Sequence, residues 1–132
     1  MKYLPCIAGG ILGAIFLMAS LTFFFKLMPD QPAPPEGSPP AHFMAAFGPT
    51  GYMTFVKAFE LLGGILVAIP KTRNFGLLIL GPILVNVLAF HLFIVGTAGL
   101  FEKPYLTPVA GVAALYLLWV GRKQFAGLAG SR

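Results

Sequence analysis

Charged side chains are scarce in this chain of 132 residues: they fill 10% of positions, and four of them are acidic. A soluble globular domain carries about 25%, so this chain cannot cover a water-facing surface. Its 58% hydrophobic content places it in a membrane as a single domain, residues 1–132. Cysteine is almost absent. The lone Cys6 excludes an internal disulfide, thiol–disulfide chemistry within the chain and any cysteine-pair metal site. At the start of an apolar run it is expected to be a small buried residue. There is no flavin or nucleotide fingerprint, no defensible pair of haem ligands and no metal site. The net charge of +5 raises nucleic acid as a partner, but the layout of the charges argues otherwise.

What the chain has is long apolar runs. About 20 apolar residues cross a bilayer as a helix, and four segments are expected to do so: about 4–28, 50–69, 75–95 and 106–121. The first carries no charge from residue 3 to residue 25. It is longer than a signal-peptide core and lacks the small-residue cleavage site that should follow one, so it reads as a retained span. Gly81-Pro82 falls inside the third, where neighbouring helices tolerate a proline kink. Tyr105 and Trp119 mark the ends of the fourth as interfacial aromatics do.

The connections differ in kind. Residues 70–74 form a tight turn, which makes spans two and three antiparallel neighbours. Residues 29–40 hold six prolines in 12 positions, an extended polyproline-like strap. The following 41-AHFMAAF-47 is expected to form one or two amphipathic turns, on the membrane surface or capping the bundle. The tail 122–132 is basic, contains glycine and is expected to fray. In a four-span chain the amino end, the 70–74 turn and the tail share a side. They carry Lys2, Lys71, Arg73, Arg122, Lys123 and Arg132 and no acid. The other side mixes Lys26 and Lys103 with Asp30, Glu36 and Glu102. The positive-inside rule then puts both termini in the cytoplasm, with the proline-rich loop outside. The basic excess is a topology signal, and nucleic acid is not an expected partner.

Within span two lie an acid and a base, Lys57 and Glu60. A charge at mid-bilayer costs about 2.5–3.5 kcal/mol and is often functional. Three residues apart, the two share a helical face and can pair. Counting from the tight turn at 1.5 Å per residue, Glu60 lies ~14 Å and Asn86 of span three ~17 Å into the membrane. His91 lies ~24 Å in, toward the outer side. Asn86 and His91 are about 140° apart on an ideal helix, so they share a face only if the helix is distorted. Tyr52 and His42 lie at the outer rim and can line a mouth. Two readings follow. In one, Lys57, Glu60, Asn86 and His91 form an intramembrane ligand, proton or redox site. In the other they are a polar lock, with Asn86 bonded across to span two. Gly9-x3-Gly13 and Gly63-Gly64 permit close helix approach, within the bundle or in a homo-oligomer.

The runs 57-KAFELLGGILV-67 and 76-GLLILGPILVNVLAFHLF-93 together resemble the DoxX-like family of small four-span membrane proteins. The matching features are Glu60 before Gly63-Gly64, a basic turn, then Gly-Pro and Asn86 with Phe90-His91. The segments 16-FLMASLTFFFK-26 and 50-TGYM-53 are similar too, so the likeness covers about residues 10–120. The resemblance implies an all-α, integral membrane four-helix bundle of the bacterial inner membrane. Relatives in that family include a subunit of a thiosulfate:quinone oxidoreductase, proteins of thiol-oxidative defence and a receptor chaperone. The expected function is thus binding of a quinone-like or other lipophilic ligand in a redox-linked role, as an accessory subunit of a quinone-linked oxidoreductase. The alternative is an assembly factor that binds partner transmembrane helices. A minimal transporter ranks last, since no inverted repeat is evident.

Overall fold

The computed structural model describes residues 2–27, 33–97, 101 and 105–130; Asp30, Glu102, Lys103 and Arg132, used above for orientation, lie outside them, as do Met28 and the first part of the proline strap. The described residues are helical, with no strand among them. Helix α1 spans Leu4–Phe25, with Pro5 in its first turn and Lys26 closing it in a left-handed conformation. Helix α2 spans Pro39–Phe47, α3 Tyr52–Ala68 and α4 Arg73–Ala89. A π-helical stretch, Phe90–Val95, continues α4. Helix α5 spans Leu106–Val120 and α6 Arg122–Ala129.

The local chemistry explains most of these boundaries. Ser38 caps α2, its Oγ accepting from the Ala41 backbone N–H at 3.4 Å, and Pro39 and Pro40 fill the first turn. Prolines suit that position because its N–H groups have no helical partner. The strap therefore ends at Ser38, and the two prolines assigned to it above begin α2. Gly51 adopts φ 78° before α3, a conformation that costs glycine little; it turns the chain through 86° between α2 and α3. At the other end of α3, Pro70–Thr72 make one 3-10 turn, and the Thr72 hydroxyl donates to the Leu66 carbonyl at 2.8 Å. This is the expected tight reversal.

The tail differs from expectation. Residues 122–129 are a helix, not a frayed end. Phe125 packs against the core and the Phe125 N–H reaches the Gly121 carbonyl at 3.1 Å. Arg122 donates to the Trp119 carbonyl at 2.7 Å and lies over the Trp119 ring at 4.3 Å. These anchors outweigh the glycine content on which fraying was expected.

The four long helices pack as a ring: α1 against α3, α3 against α4, α4 against α5 and α5 against α1. Leu12, Phe16, Val67, Leu77, Leu80, Leu84 and Leu117 fill its centre. The ring is tight where glycines meet. A Cβ on Gly13 would fall 2.8 Å from the Gly64 carbonyl, and one on Gly76 would fall 2.5 Å from the Val67 backbone nitrogen. The Gly9-x3-Gly13 motif is thus spent inside the chain, against α3, and its glycines are buried. Cys6, expected to be buried, is exposed; α1 turns it outward, and Arg73 Nη2 lies 3.7 Å from its sulfur.

The outside of the ring is apolar. Ile7, Phe75, Val85, Phe93, Val112 and Leu115 all stand exposed, far beyond what a water-facing monomer tolerates. Helix α1 and the run Pro70–Val95 are each long and apolar enough to cross a membrane. Helices α2 and α3 meet that measure only as a bent pair, and α5 is a shorter apolar helix. These features point to a membrane protein.

Candidate functional site

Helix α3 places Lys57 and Glu60 one turn apart, and Lys57 Nζ donates to Glu60 Oε2 at 2.9 Å. Glu60 is only 4% exposed, while the Lys57 side chain keeps 19% of its surface accessible. The acid is therefore held in the packed region and the base reaches it from the more open side. A buried acid whose partner is removed is strongly unfavourable, so the two residues depend on one another.

The pair lies on a cavity of about 890 Å³ between α3, α4, the π-helical stretch and α2. Asn86, His91 and Tyr52 line the same cavity, and its remaining walls are apolar, among them Met53, Val56, Ile79, Ile83 and Val87. An apolar space of this size with a few polar groups on its wall is the usual form of a small-molecule site. Five of the six residues singled out from the sequence thus meet in one place. The sixth, His42, does not line it. Residues 43 and 47 of α2 share the face turned to the cavity, as positions four apart do, and His42 lies about 100° away from Phe43 on the exposed side.

Two polar side chains bond differently from expectation. Asn86 does not reach across to α3. Its Nδ2 donates to the Pro82 carbonyl of its own helix at 2.9 Å, and the residue is exposed. Asparagine has a short side chain that readily takes the carbonyl one turn back. His91 Nδ1 lies 2.8 Å from the Val87 carbonyl. A carbonyl oxygen only accepts, so Nδ1 carries the proton and Nε2 of the uncharged ring is left with a lone pair. A helix distortion is present, but it begins at Phe90, beyond the α-helical turn that separates Asn86 from His91. From Phe90 the turns widen to π geometry, and the Gly96 N–H donates to the His91 carbonyl at 2.8 Å, five residues back. Such stretches are rare and recur at functional sites.

The end of the cavity away from the 70–72 turn is roofed by aromatic side chains. Phe43 meets Phe90 at 4.6 Å between ring centres, Phe47 meets Tyr52 at 4.6 Å, and Phe43 meets Phe47 at the same spacing. Sequence reasoning passed over Phe43 and Phe47, and named Phe90 only as part of the family pattern with His91. Their signal was the i, i+4 spacing of Phe43 and Phe47 in a short helix placed just ahead of Tyr52.

A stretch of 78 residues is 35% identical to the uncharacterized protein YwoB of Bacillus subtilis (strain 168), taking in 58% of this chain and 47% of YwoB. The chain therefore spans about half the length of the curated relative it matches. No family model matches the chain, and no solved structure matches it.

Proposed function

We propose that this chain is a four-span, DoxX-like protein of the bacterial inner membrane that holds a small lipophilic, quinone-like ligand in the cavity beside Glu60. The observation that carries the proposal is the convergence of Lys57, Glu60, Asn86 and His91 on one cavity with apolar walls. A lipophilic ring or chain fits those walls, and a polar head meets the amide, the imidazole and the ion pair. The role is redox-linked, as an accessory subunit beside a quinone-linked oxidoreductase. In this reading α1, α3, α4 with its π-helical continuation, and α5 are the four spans. Both termini are cytoplasmic, because Lys2, Lys71, Arg73, Arg122 and Lys123 gather at one end of the chain's layout. The similarity to a Bacillus protein is compatible with a bacterial membrane.

The test is extraction of the protein purified in mild detergent, followed by mass spectrometry of the lipophilic fraction. The proposal expects a stoichiometric quinone-like compound that is lost in Glu60→Gln and Asn86→Leu. Protein that carries no such compound, and gains none when purified with added quinone, sinks it. A second reading is favoured by one observation: Asn86 is exposed and bonded only within its own helix. An assembly factor presenting that amide to a partner's transmembrane helix would co-purify with the partner, and Asn86→Leu would release it.

A further inference from the structure

Resting on the ligand-binding reading, we infer that the cavity selects an uncharged lipophile whose head bears a hydroxyl group, with His91 Nε2 as the acceptor that reads it. Lys57 Nζ is engaged by Glu60 Oε2 at 2.9 Å, so among the described residues the one cation and the one anion lining the cavity neutralise each other. An anionic head would share the Lys57 ammonium with the Glu60 carboxylate and meet that like charge in an apolar space, which is costly. A cationic head would meet the ammonium group. The site therefore takes a head without net charge.

The free positions favour a donor on that head. His91 Nδ1–H is consumed by the Val87 carbonyl at 2.8 Å. Nε2 has no partner among the described residues, nor is it among the buried polar atoms left unpaired, so it keeps accessible surface on a ring that lines the cavity. In the uncharged ring it can only accept. Asn86 gives one N–H to the Pro82 carbonyl and keeps Oδ1 and a second N–H. A hydroxyl supplies what Nε2 lacks, a proton to accept, while Asn86 keeps a second N–H and Oδ1 for other polar atoms of the head. A carbonyl or ether head offers only acceptors and leaves the His91 lone pair desolvated and unpaired, so of a quinone couple the site prefers the reduced, hydroxyl-bearing form.

The test uses 4-decylphenol, its methyl ether and 4-decylbenzoate, titrated calorimetrically into the full chain in phosphatidylcholine nanodiscs, with empty nanodiscs subtracted. The expected order is phenol, then ether, then benzoate, with the phenol about tenfold tighter than the ether, the worth of one hydrogen bond. In His91→Phe the phenol is expected to lose its advantage and bind no tighter than the ether. Equal affinities of phenol and ether for the unaltered protein overturn the inference and leave a lipophile site standing. Tightest binding of the benzoate overturns it too, by showing that Lys57 is available to an anion. Binding of none of the three removes both this inference and the reading it rests on.

Discussion

The two ends of the α3–α4 pair are built on opposite principles. Near the 70–72 turn the helices are in close contact, with Gly76 against the Val67 backbone and Gly63 against the Leu80 side chain. Toward the other end the same two helices border a cavity of about 890 Å³ holding an ion pair, an amide and an imidazole. The first region is closed by small residues, and its turn is tied by the Thr72 hydroxyl to the Leu66 carbonyl. The second has Phe, Tyr and His side chains too large for such contact and polar groups that need partners. The tight end fixes the helices so that the wide end keeps its shape without closing on its own polar groups.

The largest test of this contrast is Glu60→Ala, which leaves Lys57 part-buried without its partner. It is expected to cost about 3–5 kcal/mol, read as a lowered unfolding midpoint in a fixed detergent. The double change Lys57→Met with Glu60→Leu is expected to restore most of that loss, because an apolar pair of similar volume replaces a buried ion pair at little cost. If the single change is harmless, the wide end does not depend on its ion pair.

Next comes Gly76→Ala at the tight end. Its Cβ would press on backbone atoms of α3, and overpacking of this kind costs about 1–3 kcal/mol. Gly81→Ala, on the same helix with open space around it, is expected to leave the midpoint unchanged or raised. Equal effects at both positions would mean that the close approach carries no stability. Phe43→Ala removes ring contacts with Phe90 and Phe47 worth about 0.5–1.5 kcal/mol. It opens the roof of the wide end, so a bound lipophile is expected to dissociate faster by stopped-flow. The smallest effect is expected from Arg122→Gln. It loses the contact over Trp119, about 0.5–1 kcal/mol at an exposed site, and is expected to weaken α6 by circular dichroism while leaving the cavity intact.

How much of this was legible in the sequence follows the same division. The tight end was readable, because glycines spaced to meet and a five-residue reversal leave few arrangements. The partnership of Lys57 and Glu60 was readable too, since neither charge tolerates apolar surroundings alone and i, i+3 spacing brings them together. The bonding at the wide end was not. Asn86 had a choice between a carbonyl across the interface and one in its own helix, and the shorter reach won. The π-helical stretch is a small change in which carbonyl each N–H selects, and no residue in 90-FHLFIV-95 announces it. His42 and Phe43 are adjacent, and only the true start of α2 decides which of them faces the cavity. The helix at 122–129 depends on Phe125 finding the core, a long-range contact that local composition does not report.

The helix lengths described above carry a consequence for the surrounding lipid. Around the ring, long and short helices alternate: α1 and the run Arg73–Val95 reach roughly 33 Å each, whereas α3 and α5 reach only ~25 Å and ~22 Å. Each short helix is flanked by a further helix on one side, α2 before α3 and α6 after α5. On the proposed four-span reading, a bilayer core of about 30 Å is matched by two helices and exceeds the other two. Hydrophobic mismatch costs fractions of a kcal/mol per ångström, and here it falls on the α3 and α5 sides alone. The protein is expected to be most stable in bilayers of short-chain lipids, with the unfolding midpoint falling as acyl chains lengthen, and with α2 bearing the strain first because it crosses the end of α3 at a steep angle.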